Sequence, residues 1–569
     1  MDKKDRFLFF YLLYLAVVLI YGLGSAQLFD WDEINFAESA REMLITGNYR
    51  TVMVDFKPFW EKPPLFFWLQ AFSMRIFGIG EFAARFPNVL AGILTILFAY
   101  VGAKRFVNAE IAKWWVLIYC ASITPFFYFK TGIIDPWFNL FIFGSILALV
   151  ESRNRMKSNR FMFFLAGLLL GFAFITKGPV AILLVGLTGF FVWSFDKFKR
   201  WFNILDLILI ILGIVIPIFL WLGPEIADHG WWFLKEFIGY QIDLFLNPVA
   251  SHGQPWFYHP VVLLLLAFPA GVIALPILIR RDGSETAFEQ WMRITFWVVL
   301  IVFSIATTKI IHYSSMCFLP LSYLAAVQIQ KSLNRISFIL FGIIAFIWSI
   351  ALIALPVLFI NRNLIVASAL KIKDEVAKLS LITPSGWNYM DLIPGVLFAI
   401  AIWSLASLWR KMELDRLKWV LISMPLIYTY IMIRIVPNVE MHIQGDLIRF
   451  YESVSHEKPW IQPFGYKTYA HWFYGQKPIP DPDNEIYQFQ QKWLENRDKD
   501  YPDENADQRS RALQSDTGNY LLNSAATQKV YFVCLPSGRK ELDKLPQLEF
   551  IGDFGAYRVY ELSPYTIVY

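Results

Sequence analysis

The sequence predicts an α-helical, polytopic membrane protein with a small soluble α/β domain at its C-terminus. Three observations predict this. Of the 569 residues, 57% are hydrophobic and 17% are charged, against roughly 25% charged in soluble domains. The apolar residues gather in segments of about 17–24, the length that crosses a hydrocarbon core. After residue 437 the chain turns polar, with strand-like stretches at 529–535 and 550–562 and a charged middle at 481–511.

Taken in order, apolar segments lie near 7–27, 86–103, 113–129, 133–150, 161–175, 179–195, 204–222, 259–279, 291–307, 315–329, 337–360, 391–409 and 419–436, about thirteen membrane helices. The first follows Met1 to Arg6 with no small-residue cleavage site and reads as an uncleaved span. With the N-terminus cytoplasmic, the inner loops hold Lys104–Arg105, Arg153/Arg155/Lys157/Arg160, Lys197/Lys199/Arg200, Arg280–Arg281 and Arg410–Lys411, the asymmetry that orients membrane proteins. An odd number of spans then places the α/β domain, 437–569, outside, which in a bacterium means an inner-membrane protein with a periplasmic domain. No internal repeat of the kind that builds many transporters is visible.

Composition also excludes functions. The net charge of +5 sits between membrane segments, so it serves topology and does not point to nucleic acid. Cys120, Cys317 and Cys534 suggest no disulfide framework. The seven histidines form no H-E-x-x-H zinc signature, and no glycine-rich phosphate loop is present, so nucleotide-sugar chemistry lacks support.

Chemistry-bearing residues cluster on the outer side. The first outer loop, 28–85, contains Phe29-Asp30-Trp31-Asp32-Glu33, the stretch from Phe36 to Leu44, and Phe59-Trp60-Glu61-Lys62-Pro63-Pro64. Aromatic and apolar residues interleaved with charge predict helices lying in the interface plane. Asp135, between two tightly spaced spans, is either a helix cap with Pro136 following or a site carboxylate. Lys177, in the outward turn Thr176-Lys177-Gly178-Pro179, either snorkels to headgroups or meets a phosphate. Lys309, His312 and Tyr313 form a third outward cluster, either interfacial anchors or anion contacts. Acids and cations on one face suit sugar transfer from a lipid phosphate, which needs a base for the acceptor hydroxyl and cations for the leaving group.

These motifs resemble a known family, the GT-C glycosyltransferases that transfer aminoarabinose to lipid A (ArnT-like) and their protein O-mannosyltransferase relatives. Asp32-Glu33-Ile34-Asn35-Phe36-Ala37-Glu38-Ser39-Ala40-Arg41-Glu42-Met43 is similar to the family's D-E-x-R-Y-A-E-x-A-R-E-M. Glu61-Lys62-Pro63-Pro64-Leu65 resembles its E-K-P-P-L run, Thr176-Lys177-Gly178 its T-K-G turn, and Thr308-Lys309 through Tyr313 to Leu319-Pro320 its T-K-x-x-x-Y…L-P segment. The resemblance covers roughly residues 28–325 and implies a GT-C catalytic part, 1–436, with 28–85 as its catalytic loop. It implies Asp32 as acceptor-activating base and Asp135 as the second site carboxylate, while Glu33, like Asp30, Asp32 and Glu38, is a candidate catalytic acid by its own place just outside the first span. Lys62, Lys177 and Tyr313 would line the donor phosphate or sugar pocket, and Lys309 joins them as a donor-phosphate candidate through its place in the third outward cluster. The implied partners are a polyprenyl-phosphate sugar donor, a lipid A-like or other envelope acceptor with protein as the alternative, and the bilayer itself. The cofactor is left open: for a divalent metal, Glu61 and His252 are the residues that would hold it. Asn35 and Phe36 stand where the family has Arg and Tyr. Gly239-Tyr240-Gln241-Ile242-Asp243-Leu244-Phe245 stands where it has H-E-N-x-x-R-F, without that element's His or Arg.

A transporter places its ionisable residues near the bilayer midplane, whereas these sit at one edge. A membrane scaffold would explain the C-terminal domain but not the loop of acids and lysines.

Overall fold

A computed structural model describes residues 3–59, 61–154, 159–199, 201–247, 253–279, 285–331, 335–369, 371–500, 506–524 and 528–563. The chain opens with α1 (Lys3–Ile20), α2 (Asp32–Thr46), a short hairpin of β1 (Met53–Val54) and β2 (Lys57–Pro58), α3 (Leu65–Phe77) and α4 (Glu81–Phe106). Next come α5 (Ala109–Ala121), α6 (Ile123–Tyr128), α7 (Asp135–Asn154), α8 (Arg160–Lys177), α9 (Val180–Phe195), α10 (Ile204–His229) and α11 (Trp231–Leu246). Three short helices, α12 (Tyr258–Leu266), α13 (Ala270–Ile273) and α14 (Leu275–Ile279), precede α15 (Ala287–Ile305), a 3₁₀ turn over Ile311–Cys317 and α16 (Phe318–Gln328). The helical part closes with α17 (Arg335–Ile360), α18 (Arg362–Ala369), α19 (Glu375–Ile382), α20 (Ile393–Arg410), α21 (Leu414–Arg434), α22 (Val436–Glu440) and α23 (Asp446–Val454).

Among the described residues seven helical runs are long and apolar enough to cross a membrane: Glu81–Phe106, Arg160–Lys177, Ile204–His229, Ala287–Ile305, Ile336–Ile360, Tyr389–Arg410 and Leu414–Glu457. Several segments read as single spans are interrupted instead. The segment 113–129 breaks at Ser122, which starts a new helix with Pro125 in its first turn, and 259–279 is divided where Pro269 and Pro276 remove helix donors. The last span does not stop near 436. Its helical run continues through a π-type segment, Met441–Gly445, into α23, so the 437 boundary falls inside a helix.

Charged side chains pair at the end of the bundle where the cationic loops lie. Arg105 meets Glu151 at 2.5 Å, Arg153 meets Asp196 at 2.5 Å and Lys418 meets Glu110 at 2.8 Å. The long helices α10 and α17 keep Ile208, Ile211, Leu212, Phe219, Ile339, Ile343 and Phe346 exposed, an outer surface suited to hydrocarbon, since a helix satisfies its own backbone there.

The first outer loop departs from the interfacial expectation. In α2 every residue from Glu33 to Met43 is buried. Interior charge is tolerated because it is paired. Arg41 forks onto both Glu38 oxygens at 2.7 Å and donates to the Lys477 carbonyl at 2.9 Å, while Glu42 accepts from the Phe56 N–H at 3.0 Å.

The C-terminal part adds β3 (Trp460–Phe464), α24 (Ala470–Phe473), α25 (Glu485–Asp500), α26 (Ala506–Asn523), β4 (Val530–Cys534), α27 (Pro536–Leu542), β5 (Leu548–Phe554) and β6 (Tyr557–Leu562). Its four-stranded sheet has the order β3-β4-β6-β5, parallel between β3 and β4 and antiparallel elsewhere. Period-two alternation divides β4 between two interiors. Val530, Phe532 and Cys534 join Ile486, Leu521 and Leu542 in a core of this part, whereas Tyr531 and Val533 join the core of the helical body. All three cysteines are free and buried.

Candidate active site

Two antiparallel helices create the centre of the site. α7 begins at Asp135 and α8 ends at Lys177, and the two pack against each other, so the return of the chain brings the acid and the lysine together. Each charge sits at the helix end whose dipole favours it. Asp135 Oδ1 lies 2.5 Å from Lys177 Nζ. Gly178 ends α8 with φ +113°, a conformation that favours glycine, and a Cβ there would meet the Gln241 side chain at 3.0 Å.

The 3₁₀ turn supplies the third side. Lys177 Nζ stands 5.4 Å from the Tyr313 ring centroid and 5.7 Å from that of Phe138. Ser315 Oγ donates to Asp135 Oδ1 at 3.3 Å and accepts from Asn139 Nδ2 at 2.9 Å. Tyr128 and His312 share a 2.8 Å hydrogen bond at the rim. Burial and the charges of Asp32 and Asp135 push the Tyr313 phenol upward, so it keeps its proton.

The first loop approaches from the other side. Asp32 opens α2 and is half-buried, and Glu61 and Lys62 lie in the turn before α3. Lys62 Nζ lies 5.8 Å from the Tyr240 ring centroid, and Gln241 Nε2 donates to the Glu61 carbonyl at 3.4 Å. Burial, then the charges of Glu61 and Tyr313, a hydrogen bond with Glu61 and the charge of Asp32 all raise the Tyr240 phenol. Asp32, Glu61, Lys62, Asp135, Lys177, Tyr240 and Tyr313 therefore share one electrostatic environment.

Two expected site residues are used otherwise. Glu33 reads as a site carboxylate in the sequence, but here both its oxygens are consumed. Arg85 donates to them at 2.8 and 2.9 Å, the Phe29 N–H at 2.8 Å and the Gly132 N–H at 2.5 Å. A carboxylate so saturated cannot serve as a base. It anchors the start of α2, which carries Asp32, to the loop that leads to Asp135. A Cβ on Gly132 would meet the Ala84 carbonyl oxygen at 3.1 Å and the Gln70 and Glu33 side chains at 3.2 Å, a tight approach that a larger residue could enter only by displacing these neighbours. Lys309 is buried and donates to the Ala306 carbonyl at 2.6 Å, turning toward the end of α15 instead of joining the Asp135–Lys177–Tyr313 cluster.

Sequence reading missed Arg85, Tyr240, Ser315 and Asn139. Read from sequence, the first outer loop ends at Arg85, whereas α4 starts at Glu81 and carries Arg85 into the apolar helix, where an arginine is a signal of a buried carboxylate partner. No group of three His, Cys, Asp or Glu able to hold a metal ion is gathered among the described residues. Glu61 shares its side-chain hydrogen bond with Tyr240, and His252 lies outside the described residues, as do Trp60, Arg155, Lys157, Arg200, Arg280 and Arg281. The described residues do not fit a metal ligand set.

Comparison with known proteins adds a frame. Residues 61–221 match the family described as dolichyl-phosphate-mannose-protein mannosyltransferase. The chain is 27% identical to the undecaprenyl phosphate-alpha-4-amino-4-deoxy-L-arabinose arabinosyl transferase 1 of Proteus mirabilis, over 62% of this chain and 66% of that protein. It is 29% identical to the corresponding transferase of Edwardsiella ictaluri, over 55% and 57%. The matches thus span less than two thirds of these two curated relatives. The crystal structure of ArnT from Cupriavidus metallidurans in the apo state superposes with a TM-score of 0.75 at 16% identity over 98% of both chains. The same protein bound to undecaprenyl phosphate gives 0.72 at 18% identity over 97% of both. The ArnT fold is shared over 97–98% of the chain, and the curated arabinosyl transferases match more than half of it in sequence.

Proposed function

We propose that this multi-pass membrane protein, built on the ArnT fold, is a glycosyltransferase that moves a sugar from a polyprenyl-phosphate carrier to an acceptor of the cell envelope. The observation that carries the reading is the meeting of Asp32, Asp135, Lys62, Lys177 and Tyr313 at one end of the bundle. Support comes from the curated relatives, named for an undecaprenyl-phosphate donor, and from the ArnT crystal with undecaprenyl phosphate bound. Protein as acceptor is the second reading, favoured by the match over 61–221 to protein mannosyltransferases.

In the proposed reaction Asp32 takes the proton of the acceptor hydroxyl as that oxygen bonds to the anomeric carbon. The bond from this carbon to the phosphate oxygen breaks, and its electron pair leaves on the polyprenyl phosphate. Lys62 and Lys177 neutralise the charge that develops there, Asp135 holds Lys177 in position, and the Tyr313 ring bounds the sugar. In proteoliposomes the wild type is expected to pass radiolabelled sugar from a polyprenyl-phosphate donor to extracted envelope acceptors. Lys177→Ala and Lys62→Ala should each raise the donor concentration needed, since a charge-assisted hydrogen bond contributes about 1.5–3 kcal/mol, roughly 10- to 150-fold. Solute flux without transfer would replace the reading with a transporter. Unaltered donor dependence in both variants would reduce the lysines to membrane anchors.

The finer topology is proposed as about thirteen membrane-crossing or re-entrant segments, with a cytoplasmic N-terminus and the C-terminal domain periplasmic. It rests on the cationic loops and on Arg105, Arg153 and Lys418 pairing at the end of the bundle opposite the Asp135–Lys177 pair. Single cysteines introduced on α25 are expected to react with an impermeant maleimide from outside intact spheroplasts. Protection until the cells are lysed would reverse the orientation.

A further inference from the structure

A cleft of about 820 Å³ lies between the β1–β2 hairpin of the first loop and the C-terminal domain, within the roughly 300–1,000 Å³ of ordinary small-molecule sites. Glu61 of the candidate active site lines it too, so cleft and site share a wall. Its other walls belong to β3 and the loop before it, to α24 and the loops on either side of it, to Trp232 of α11 and to α25 and α26, away from the lipid-facing sides of α10 and α17.

Its chemistry is selective. The rings of Trp460, Trp472 and Tyr487 line it and are partly exposed, and the amide side chains of Gln490, Gln491 and Gln514 stand among them. Five lysine or arginine residues and four acidic residues line the cleft, close to balance. Much of that charge is internally satisfied. Asp55 pairs with Lys57 at 2.8 Å and with Lys477, whose ammonium packs 4.5 Å from the Trp460 ring centroid and 5.7 Å from that of Trp472. His471 lines the same cleft, is 5% exposed, and its Nδ1 has no hydrogen-bond partner. Burial, then the charge of Lys477, lowers this imidazole to about 3, so at neutral pH it offers one donor and one acceptor. Flat apolar rings, amides that both donate and accept, and a neutral imidazole in a nearly charge-balanced cleft match ring faces and hydroxyl groups. They suit neither a phosphate cluster nor an acyl chain.

We propose that this cleft binds the acceptor through carbohydrate: a short, near-neutral stretch of oligosaccharide lies on Trp460, Trp472 and Tyr487 and presents a hydroxyl to the site beyond Glu61. The proposal rests on the glycosyltransferase reading and narrows its acceptor from any envelope hydroxyl to one on a glycan. The C-terminal domain then acts as a specificity element.

The test is direct binding by the full-length protein in lipid nanodiscs to an immobilised panel of short, phosphate-free oligosaccharides released from bacterial envelopes. Peptides and phosphorylated glucosamine lipids are run alongside. At least one oligosaccharide should bind, Trp472→Ala and His471→Ala should each weaken it about tenfold, and binding of undecaprenyl phosphate should be unchanged. Tyr487→Ala, on the outer helix α25, gives the same readout should a change near α24 unfold the domain. The proposal is overturned by a wild type that binds no oligosaccharide, by binding that none of the three variants weakens, or by binding of the peptides or phosphorylated lipids alone. Wild type that binds glycan in the expected pattern but transfers no sugar from any donor would sink the glycosyltransferase reading while leaving the carbohydrate site in place.

Discussion

Asp32→Asn is expected to lower sugar transfer by about 10²–10⁴-fold, the contribution of a positioned general base, while undecaprenyl phosphate still binds. The residue opens α2 beside a firmly held neighbour, and its charge acts on both Tyr313 and Tyr240. Asparagine keeps the shape and the hydrogen bonding but cannot take the acceptor proton. Asp30 provides the control. It is held against the C-terminal domain, where Thr468 Oγ1 donates to Oδ2 at 3.3 Å, and burial raises its carboxyl to about 6. Asp30→Asn should therefore cost far less transfer than Asp32→Asn. An Asp32→Asn protein that transfers within tenfold of wild type would move the base assignment to Asp135.

What the sequence made legible follows from the range of the signal. Asp135 and Lys177 were readable because each ends an apolar segment at the open end of one helical hairpin, and the two apolar segments fix which ends meet. Lys309 misled because it folds back locally on the Ala306 carbonyl just after α15, whereas Glu33 misled because its partner is set by tertiary contact, Arg85 being 52 residues away. The amphipathic reading of α2 failed for the same reason. Its charges look solvated in one dimension, but Glu38, Arg41 and Glu42 are paired with one another, with the hairpin at Phe56 and with the distant Lys477 carbonyl. Span counting faltered where Pro269 and Pro276 divide one apolar run into short helices. β3 escaped notice because five residues with a proline, Pro463, give little strand signal.

Glu33→Gln should then destabilise the protein by about 3–5 kcal/mol, the cost of leaving one charge of a buried pair uncompensated. Arg85 is fully buried, and its remaining partners are the carbonyls of Leu23, Ala26 and Gln27 at 2.7–3.0 Å. Those dipoles cannot replace a carboxylate. The expected reading is an earlier loss of monodisperse protein on heating in detergent, together with reduced transfer. Pairing Glu33→Leu with Arg85→Met removes both charges and should recover part of the stability, because an apolar pair avoids the desolvation of two ions. Transfer should not recover with it. The apolar pair leaves the Phe29 and Gly132 N–H groups without the acceptor that ties the start of α2 to the loop before Asp135, so the two carboxylates lose their mutual registration. A double variant with near-normal transfer would show that Glu33 stabilises the fold without positioning Asp32 and Asp135. A single Glu33→Gln variant as heat-stable as wild type would mean the Arg85 charge is solvated or neutralised by another route.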